Sequence, residues 1–344
     1  MSNDDVMDMS NPTLLTKITP ETSIKHHDSN RLIDFSTIGN NIWNNPDRSV
    51  GVVILSGGEG SRLGYDMPKG TIPLHNNITL FDVHLNKLKN IKKLSVMKIF
   101  LFIMVSLTTK DSVEKWFKEF FETHNQNDYC HGFEIFTQNS LPILTLSDKK
   151  EIPGFTSPNG NGGMYEVLKT CNNYSKTEIF NVISVDNVAA QVLDPLFLGC
   201  LYANQYDVLN KAIKPNSGEK VGGFTFYNNG DVKIEEYTDN GFDTNQSSLV
   251  RGNICNHLLT KSFIDKIDLT QLERHHAIKD AKKGMNTTDK IIKQELFIFD
   301  TFSQSSKVGV LTVERSTEFI PLKDKNDIEK VNAYIKNIYK SQMM

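Results

Sequence analysis

One short stretch, residues 55–70, holds the side chains whose types and spacing best fit chemistry. It reads LSGGEGSRLGYDMPKG and contains five glycines. The glycines that would let backbone N–H groups approach phosphate oxygens are Gly57, Gly58 and Gly60. Arg62 can direct a fork of hydrogen bonds at such oxygens, and Lys69, seven residues later, adds a point charge. Nucleotidyl transfer needs this stabilisation of oxygen charge, so the stretch predicts a site that handles a triphosphate.

Two familiar phosphate-binding motifs do not fit this stretch. The spacing Gly58-x-Gly60-x-x-x-Gly64 differs by one residue from the dinucleotide fingerprint. The stretch also lacks the GK[ST] ending of a P-loop. A glycine turn that binds no ligand is a third interpretation, because such turns are common after strands. The arginine and the lysine favour the phosphate site over that turn.

The surrounding pattern predicts an α/β fold. The apolar run VGVVIL directly before the glycines is typical of a buried parallel strand. Further strands are predicted at KIFLFIMVS, FEIFTQ, EIFNVISVDN and KVGVLTVER, and a hairpin at VGGFTFYNNGDVKIEEYTD turning at Asn229–Gly230. Helices are predicted at TLFDVHLNKLKNIKK, KDSVEKWFKEFFETH, MYEVLKTCNNY and KNDIEKVNAYIKNIYKSQ, and a strand followed by a helix at GNICNHLLTKSFIDKI. Such alternation indicates a parallel sheet with helices on both faces. Because ligands bind beyond the carboxyl ends of such strands, the glycine stretch and Asp186–Asn187 are both expected at the site.

Composition narrows the class of protein. Of 344 residues, 38% are hydrophobic and 23% charged, and the formal net charge is −3, which fits a globular protein without a nucleic-acid or membrane partner. The cysteines are far apart, which argues against zinc and disulfides; they are Cys130, Cys171, Cys200 and Cys255. No apolar run reaches the roughly 18 residues of a membrane helix, and the acidic N-terminus is no secretory signal. A cytoplasmic location is therefore expected.

The stretch 55–70 closely resembles the pyrophosphorylase motif L-x-G-G-x-G-T-R-L-G-x₃-P-K-G of eukaryotic-type UDP-N-acetylglucosamine pyrophosphorylases. Seven further segments resemble family segments and follow in family order up to residue 324. They are TQNSLPIL, SPNGNGGMYEVL, VISVDNV, RGNICNHLLT, LERHHAIKDA, IKQELFIFDTF and VERSTEFIPLKD. Eight segments in one order are not a chance pattern. UDP-glucose pyrophosphorylases resemble the chain more distantly, and their loop normally lacks the arginine that Arg62 supplies.

The resemblance implies a Rossmann-like nucleotidyltransferase core of glycosyltransferase-A type with a mixed, mostly parallel central sheet. This core is expected at residues 49–320, between an N-terminal arm (1–48) with short helices at LLTKI and RLIDFSTI and a C-terminal helix (321–344). The implied reaction converts UTP and N-acetylglucosamine 1-phosphate into UDP-N-acetylglucosamine and pyrophosphate, with Mg²⁺ as cofactor. The family usually has a further C-terminal domain linked to self-association, so its absence here suggests a monomer.

The resemblance also implies a role for each site residue. The residues implied in phosphate handling during the reaction are Arg62, Lys69 and Lys293, and the implied Mg²⁺ ligand is Asp186. The implied nucleotide site consists of Gly57, Gly58, Gly60, Gln138 and Gly160, with Gln138 and Gly160 at the uracil edge. The implied sugar site consists of Asn161, Gly222, Glu236, Asn253, Phe297 and Phe299.

Several of these residues have an ordinary alternative. Asp186 could cap a helix, and a lysine such as Lys293 is most often on the surface. Phe297 and Phe299 alternate along the chain, and alternating aromatics are more often core than ligand wall. Glu236 follows another glutamate, so only one of the two can face the site from a strand.

The chain departs from the family pattern at a few positions. Asn159 replaces the usual aspartate before Gly-Asn-Gly-Gly, which we expect to alter loop anchoring more than chemistry. Val250–Arg251 stand where the family usually has Asn-Ala, beside the implied sugar pocket, and Asp280 replaces a second lysine. His275 and His276 are expected to be surface or helix-end residues without a catalytic role. Two other functions stay open: the same reaction with N-acetylgalactosamine 1-phosphate or glucose 1-phosphate, and a non-catalytic UDP-sugar binding protein.

Overall fold

The computed structural model describes residues 17–18, 29–216, 219, 221–227, 232–235, 251–281, 284–285, 287 and 290–340. The strands in chain order are β1 (Lys17–Ile18), β2 (Ser49–Leu55), β3 (Lys98–Val105), β4 (Gly132–Thr137), β5 (Ser140–Thr145), β6 (Glu151–Pro158), β7 (Ile179–Ser184), β8 (Val208–Ile213), β9 (Gly223–Tyr227), β10 (Val232–Glu235), β11 (Arg251–Thr260), β12 (His275–Lys279), β13 (Ile291–Glu295) and β14 (Val308–Thr312). The α-helices are α1 (Ser29–Trp43), α2 (Leu80–Leu94), α3 (Lys110–Thr123), α4 (Met164–Leu168), α5 (Pro195–Asn204), α6 (Lys261–Lys266), α7 (Arg315–Glu318) and α8 (Ile328–Lys340). Short 3₁₀ turns lie at Ser61–Leu63, Lys69–Thr71, His75–Asn77, Gln126–Asp128, Asn161–Gly163, Tyr174–Lys176, Leu269–Gln271, Ile298–Gln304 and Lys325–Asp327.

The central sheet is mixed, as the sequence predicted. Strands β4, β3, β2 and β7 lie side by side and run parallel. Strand β11 joins β7 in the antiparallel direction and also pairs with β8 and β9. In the register, Leu55 of β2 pairs with Ser184 of β7, so these strands end level with each other. The glycine stretch and Asp186 therefore leave the sheet at the same edge.

Helices cover both faces of this sheet, which confirms the predicted layers. Val52 and Ile54 of β2 face one apolar cluster, which includes α2 and α5, whereas Val53 and Leu55 face a second cluster, which includes α4. Helix α2 begins at a capping box, in which the hydroxyl of Thr79 accepts from the backbone N–H of Asp82. Uninterrupted apolar strands are thus explained by burial on both sides.

A second, smaller sheet consists of β12, β13, β5 and β6, all antiparallel. The sequence analysis did not predict strands β5, β6, β12 and β13. Each of these strands has at most two buried side chains, and the apolar cluster between them is small, so they lack a continuous buried apolar run. This sheet carries Lys293 and His275.

The helix predicted at RLIDFSTI is confirmed as part of α1. Its contact with α5 is close, because a Cβ on Gly199 would lie 1.8 Å from the carbonyl oxygen of Phe35. The helix predicted at LLTKI is wrong for Lys17–Ile18, which form a strand paired with β9; the rest of that segment lies outside the described residues. A two-residue strand depends on its distant partner and leaves no local pattern.

Two other predicted elements differ in extent. The helix predicted at MYEVLKTCNNY ends at Leu168, and a 3₁₀ turn follows at Tyr174–Lys176. Strands β9 and β10 form the predicted antiparallel pair, but the turn at Asn229–Gly230 lies outside the described residues. The predicted boundaries between the arm (1–48), the core (49–320) and the C-terminal helix (321–344) stay predictions.

Across the described part of the chain, no helix combines the length and apolar character needed to cross a membrane.

Candidate active site

The glycine loop folds back on itself directly after β2. The backbone N–H of Gly60 donates to Met67 at 2.8 Å, and that of Lys69 donates to Gly58 at 3.1 Å. These bonds bring Lys69 beside the glycines that precede it in the sequence. A Cβ on Gly58 would meet no atom within 4 Å, so this side of the loop is open. Arg62 lies on the exposed part of the loop and has no hydrogen-bond or ion-pair partner among the described residues.

Lys69 and Asp186 form an ion pair across the sheet edge. Nζ of Lys69 lies 3.3 Å from Oδ2 of Asp186, and the two residues are 117 positions apart in the chain. The hydroxyl of Ser184 donates to the other carboxylate oxygen at 2.7 Å. Both partners of the pair are largely buried, with side-chain exposures of 16% and 21%. The sequence analysis missed Ser184, which closes β7 two residues before the carboxylate.

The turn that carries Asp186 is tied to the segment after α7. The backbone N–H of Leu322 donates to the carbonyl of Asp186 at 2.9 Å. The amide of Asn187 donates to the carbonyl of Glu318 at 2.8 Å and accepts from the N–H of Ile320 at 3.0 Å. Because Asn187 is only 1% exposed, these two hydrogen bonds to the backbone are shielded from water. The two residues of the predicted Asp-Asn pair therefore differ: Asp186 faces Lys69, and Asn187 anchors the turn to the backbone at residues 318 and 320.

Gln138 follows β4 and reaches the first glycine of the loop. Its Nε2 would lie 2.7 Å from a Cβ on Gly57, so a larger residue there would displace the end of the Gln138 side chain. Gln138 is 6% exposed, and its Oε1 has no hydrogen-bond partner in the described part of the chain. A buried acceptor beside a donor suits the edge of a base such as uracil, which offers both kinds of group.

The turn at Gly160 docks against the end of β13. Gly160 has φ +88°, and a Cβ there would lie 2.4 Å from the carbonyl oxygen of Leu296. Glycine is thus required for both conformation and space. The side-chain oxygen of Asn161 accepts from the N–H of Ile298 at 2.9 Å. One lone pair of that oxygen is used by the backbone, which leaves the NH₂ group and the second lone pair of Asn161 for a ligand.

Asn159 anchors this turn to its neighbours. Its backbone N–H donates to Asn139 at 3.0 Å, and its carbonyl accepts from Leu296 at 2.8 Å. Its side-chain NH₂ donates to Glu166 at 3.1 Å, and the side chain of Asn139 donates to the same carboxylate oxygen at 2.6 Å. The expectation that this position concerns loop anchoring matches these contacts. The amide fits because it can donate to Glu166, as an aspartate could not.

The two predicted aromatic residues occupy different environments. The rings of Phe297 and Phe299 are stacked, with centroids 5.2 Å apart. Phe299 is 7% exposed and belongs to the core cluster, whereas Phe297 is only partly buried against it. The ring of His275 lies 4.6 Å from that of Phe297, and its Nε2 is 2.9 Å from Asp300. His275 lies on a strand rather than at a helix end, and it extends the aromatic group.

Gly222 and Asn253 lie together on the β9–β11 side of the fold. The N–H of Asn253 donates to the carbonyl of Gly222 at 2.8 Å, and its side-chain oxygen accepts from the N–H of Cys255 at 2.9 Å. Cys255 has φ +51° within an irregularity of β11. Burial raises the pKa of its thiol to about 12, and the carboxylate of Asp186 adds to the effect. A neutral thiol therefore stands near the Lys69–Asp186 pair. Glu236 lies outside the described residues.

Lys293 approaches from the second sheet. It pairs with Ala277 of β12 and is partly buried, without a hydrogen-bond or ion-pair partner in the described ranges. No described contact joins it to Lys69 or Asp186. The structure thus brings together the glycine loop, Gln138 and the Lys69–Asp186 pair, and it keeps Lys293 on a separate element.

Comparison with known proteins identifies the family. A family model described as UTP–glucose-1-phosphate uridylyltransferase matches residues 9–344. A probable UDP-N-acetylglucosamine pyrophosphorylase of Encephalitozoon cuniculi is 36% identical over 294 residues, which cover 82% of this chain and 82% of that protein. The UDP-N-acetylglucosamine pyrophosphorylase of Saccharomyces cerevisiae is 29% identical over 331 residues, with 83% and 68% covered. The solved structure of uridine diphosphate N-acetylglucosamine pyrophosphorylase from Trypanosoma brucei has a TM-score of 0.73 at 22% identity, covers 88% of this chain and 68% of that chain, and shares the fold. The chain belongs to the UTP–glucose-1-phosphate uridylyltransferase family, whose enzymes use UTP and a sugar 1-phosphate.

Proposed function

We propose that the protein transfers the uridylyl group of UTP to N-acetylglucosamine 1-phosphate. A phosphate oxygen of the sugar phosphate forms a bond to the α-phosphorus of UTP. The bond from that phosphorus to the bridging oxygen breaks, and pyrophosphate leaves with the electron pair. The choice of sugar is supported by the names of the relatives that match the chain in sequence.

The observation that carries this proposal is the meeting of Lys69 and Asp186 at the edge where β2 and β7 end. A cation and a carboxylate at the open mouth of a glycine loop are the groups that phosphoryl chemistry uses. Lys69 neutralises phosphate oxygens near the α-phosphorus, and Arg62, exposed and unpaired within the described residues, holds the departing pyrophosphate. Lys293 reaches the phosphates from the second sheet.

Asp186 supplies a fitting ligand for a divalent metal, and we propose Mg²⁺. Its carboxylate is a hard oxygen donor, the kind that Mg²⁺ prefers. Among the residues that the structure describes, no three His, Cys, Asp or Glu side chains converge on one point. The remaining ligands are then phosphate oxygens and water, the usual arrangement for Mg²⁺ at nucleotide sites. When bound, the metal offsets negative charge on the α-phosphate.

Binding of the two substrates follows from the same elements. Gln138 reads the uracil edge through its buried amide, with Gly160 close to the base, and Gly57, Gly58 and Gly60 line the phosphates. The sugar lies between the Gly222–Asn253 side and the Asn161–Phe297 side, with Glu236 on its hydroxyls. The NH₂ groups of Asn161 and Asn253 donate to the sugar, while their side-chain oxygens each accept one backbone N–H group. We also propose that the protein acts as a monomer.

Pyrophosphate release tests this function. The purified protein is given UTP, Mg²⁺ and, separately, the 1-phosphates of N-acetylglucosamine, N-acetylgalactosamine and glucose. We expect the fastest release with N-acetylglucosamine 1-phosphate, and a loss of two or more orders of magnitude for Arg62→Ala, Lys69→Ala and Asp186→Asn. Absence of pyrophosphate with every sugar, together with tight binding of UDP-sugar, would instead identify a binding protein.

A matched control excludes a general loss of folding. Arg48→Ala removes another surface arginine, whose ion-pair partner is Glu178 at the opposite end of β7 from Asp186. This variant should keep full activity.

Size-exclusion chromatography with light scattering, at the protein concentration of the activity assay, tests the proposal that the protein is a monomer. A dimer would refute that part of the proposal alone.

A further inference from the structure

Helix α2 contacts the turn that carries Asp186 through two polar side chains. His84 lies 2.9 Å through Nε2 from the carbonyl oxygen of Val185. The amine of Lys87 donates to the carbonyl of Val188 at 2.5 Å and to that of Ala190 at 2.8 Å. Because His84 and Lys87 are three residues apart, they lie on the same face of the helix. Their acceptors lie on both sides of Asp186 in the sequence.

These two side chains are unusual for the face on which they lie. The buried residues of α2 are otherwise apolar, and they are Leu80, Phe81, Val83, Leu85, Leu88 and Ile91. His84 is 0% exposed, and its Nδ1 has no partner in the described part of the chain. An apolar side chain would fill such a position at lower cost, since a buried polar group without its full set of bonds lowers stability. The bonds to the turn are therefore what these residues contribute.

The opposite side of the turn is also held by charged groups. The carboxylate of Glu318 accepts from the backbone N–H of Gln191 at 3.2 Å and from the buried amine of Lys211 at 2.5 Å. Burial of the amine lowers the pKa of Lys87 to about 7, and the charge of Glu318 opposes this shift because it favours the protonated form. The turn is thus fixed between α2 and the α7 segment.

We infer that Lys87 and His84 are positioning residues that fix the backbone on both sides of Asp186 and so aim its carboxylate at the metal and the α-phosphate. The inference rests on the proposed function, in which Asp186 is the metal ligand. Neither residue contacts the reacting atoms. Residues behind a metal ligand commonly control metal affinity by orienting it. The ligand whose affinity these two residues are expected to control is therefore the divalent cation that accompanies the nucleotide.

The test measures how much a metal ion strengthens UTP binding. UTP is titrated calorimetrically into the protein with and without Mn²⁺, and the ratio of the two Kd values is compared among variants. Lys87→Met removes both bonds with little change in volume, and we expect the ratio to fall by about tenfold. In the Asp186→Asn background, Lys87→Met should cause no further fall, because it acts through that carboxylate.

Val113→Ala is the control for a purely structural role. Val113 is 0% exposed on α3, its apolar side chain makes no hydrogen bond to the turn, and its truncation lowers stability through the core. It should lower Tm while leaving the Kd ratio unchanged. If Lys87→Met does the same, the inference is wrong. His84→Phe, which loses only the bond to Val185, serves as the second variant should Lys87→Met not fold.

Two failures are distinguishable in this design. If Asp186→Asn leaves the Kd ratio at the wild-type value, the metal site of the proposed function is wrong. If Asp186→Asn abolishes the metal effect but both the Lys87 and His84 variants keep it, only the positioning role is wrong.

Discussion

The amine of Lys69 lies 3.3 Å from Oδ2 of Asp186, while the hydroxyl of Ser184 holds Oδ1 at 2.7 Å. Both oxygens of this carboxylate are therefore bonded within the protein. A metal ion that approaches Asp186 must compete with an ammonium group for the same oxygen. A phosphate group that attracts Lys69 removes this competition, so the nucleotide and the metal help each other to bind.

Lys69→Met should therefore change two properties in opposite directions. Transfer activity falls by orders of magnitude, because the charge near the α-phosphorus is lost. The affinity of the nucleotide-free protein for Mn²⁺ rises by about fivefold, because the Lys69–Asp186 ion pair, taken as about 1 kcal/mol, no longer competes. Electron paramagnetic resonance of free Mn²⁺ measures this affinity. Arg62→Met is the control, since Arg62 has no described contact with Asp186, and an unchanged or weaker Mn²⁺ affinity for Lys69→Met would contradict the prediction.

Asn159 and Glu166 provide a second test, based on charge. Asn159 is 1% exposed and donates to the carboxylate of Glu166 at 3.1 Å. Asn159→Asp replaces the donor with a carboxylate, so we expect a loss of about 1–3 kcal/mol in the free energy of unfolding. Glu166→Gln restores a donor opposite the new acid, and the double variant should regain much of the loss. Urea unfolding of the four proteins measures this coupling, and strict additivity of the two changes would show that the pair does not interact.

The meeting of the glycine loop with Asp186 could be predicted, because both segments follow parallel strands that end at one edge. The hydrogen-bond partners of individual side-chain amides could not be predicted from the sequence. The resemblance implied Asn161 and Asn253 as sugar-site residues, yet each side-chain oxygen also accepts a backbone N–H and so holds its own turn in place. Such bonds depend on a backbone turn that docks only in the folded chain, and the sequence pattern contains no sign of it.

The sequence also did not reveal that Lys87 of α2 supports the turn that carries Asp186, for a similar reason. Lys87 lies in a helical pattern in which lysine normally indicates the solvent face. Here its amine reaches carbonyls about a hundred residues away, as the separations of 101 and 103 positions show. Strand β12 was also missed, because partly exposed antiparallel strands have weak periodicity. Long-range hydrogen bonds, rather than local propensity, define both features.

Phe297 and Phe299 should respond differently to truncation. Phe299 is 7% exposed in the core, so Phe299→Ala should cost about 3 kcal/mol or more of stability. Phe297 is partly exposed beside His275, so Phe297→Ala should cost less stability and mainly raise KM for the sugar 1-phosphate, with little change in KM for UTP. Thermal unfolding and steady-state kinetics separate the two effects. A larger stability loss for Phe297→Ala than for Phe299→Ala would reverse the assignment of wall and core.

His257 predicts how stability depends on pH. It is 0% exposed, its Nδ1 lies 2.6 Å from Oδ1 of Asn210, and burial lowers its pKa from 6.5 to about 3. Between these two values the unfolded chain binds a proton that the folded chain does not, so stability falls as pH falls from 6.5 towards 3. One such group contributes a slope of up to about 1.4 kcal/mol per pH unit. His84, whose pKa burial also lowers to about 3 and which faces Lys87 and Asp186, adds a second proton. His257→Gln, which keeps a donor for Asn210, should reduce the slope by up to about 1.4 kcal/mol per pH unit in urea unfolding measured from pH 6.5 to 4.5. An unchanged slope would show that His257 is protonated in the folded protein.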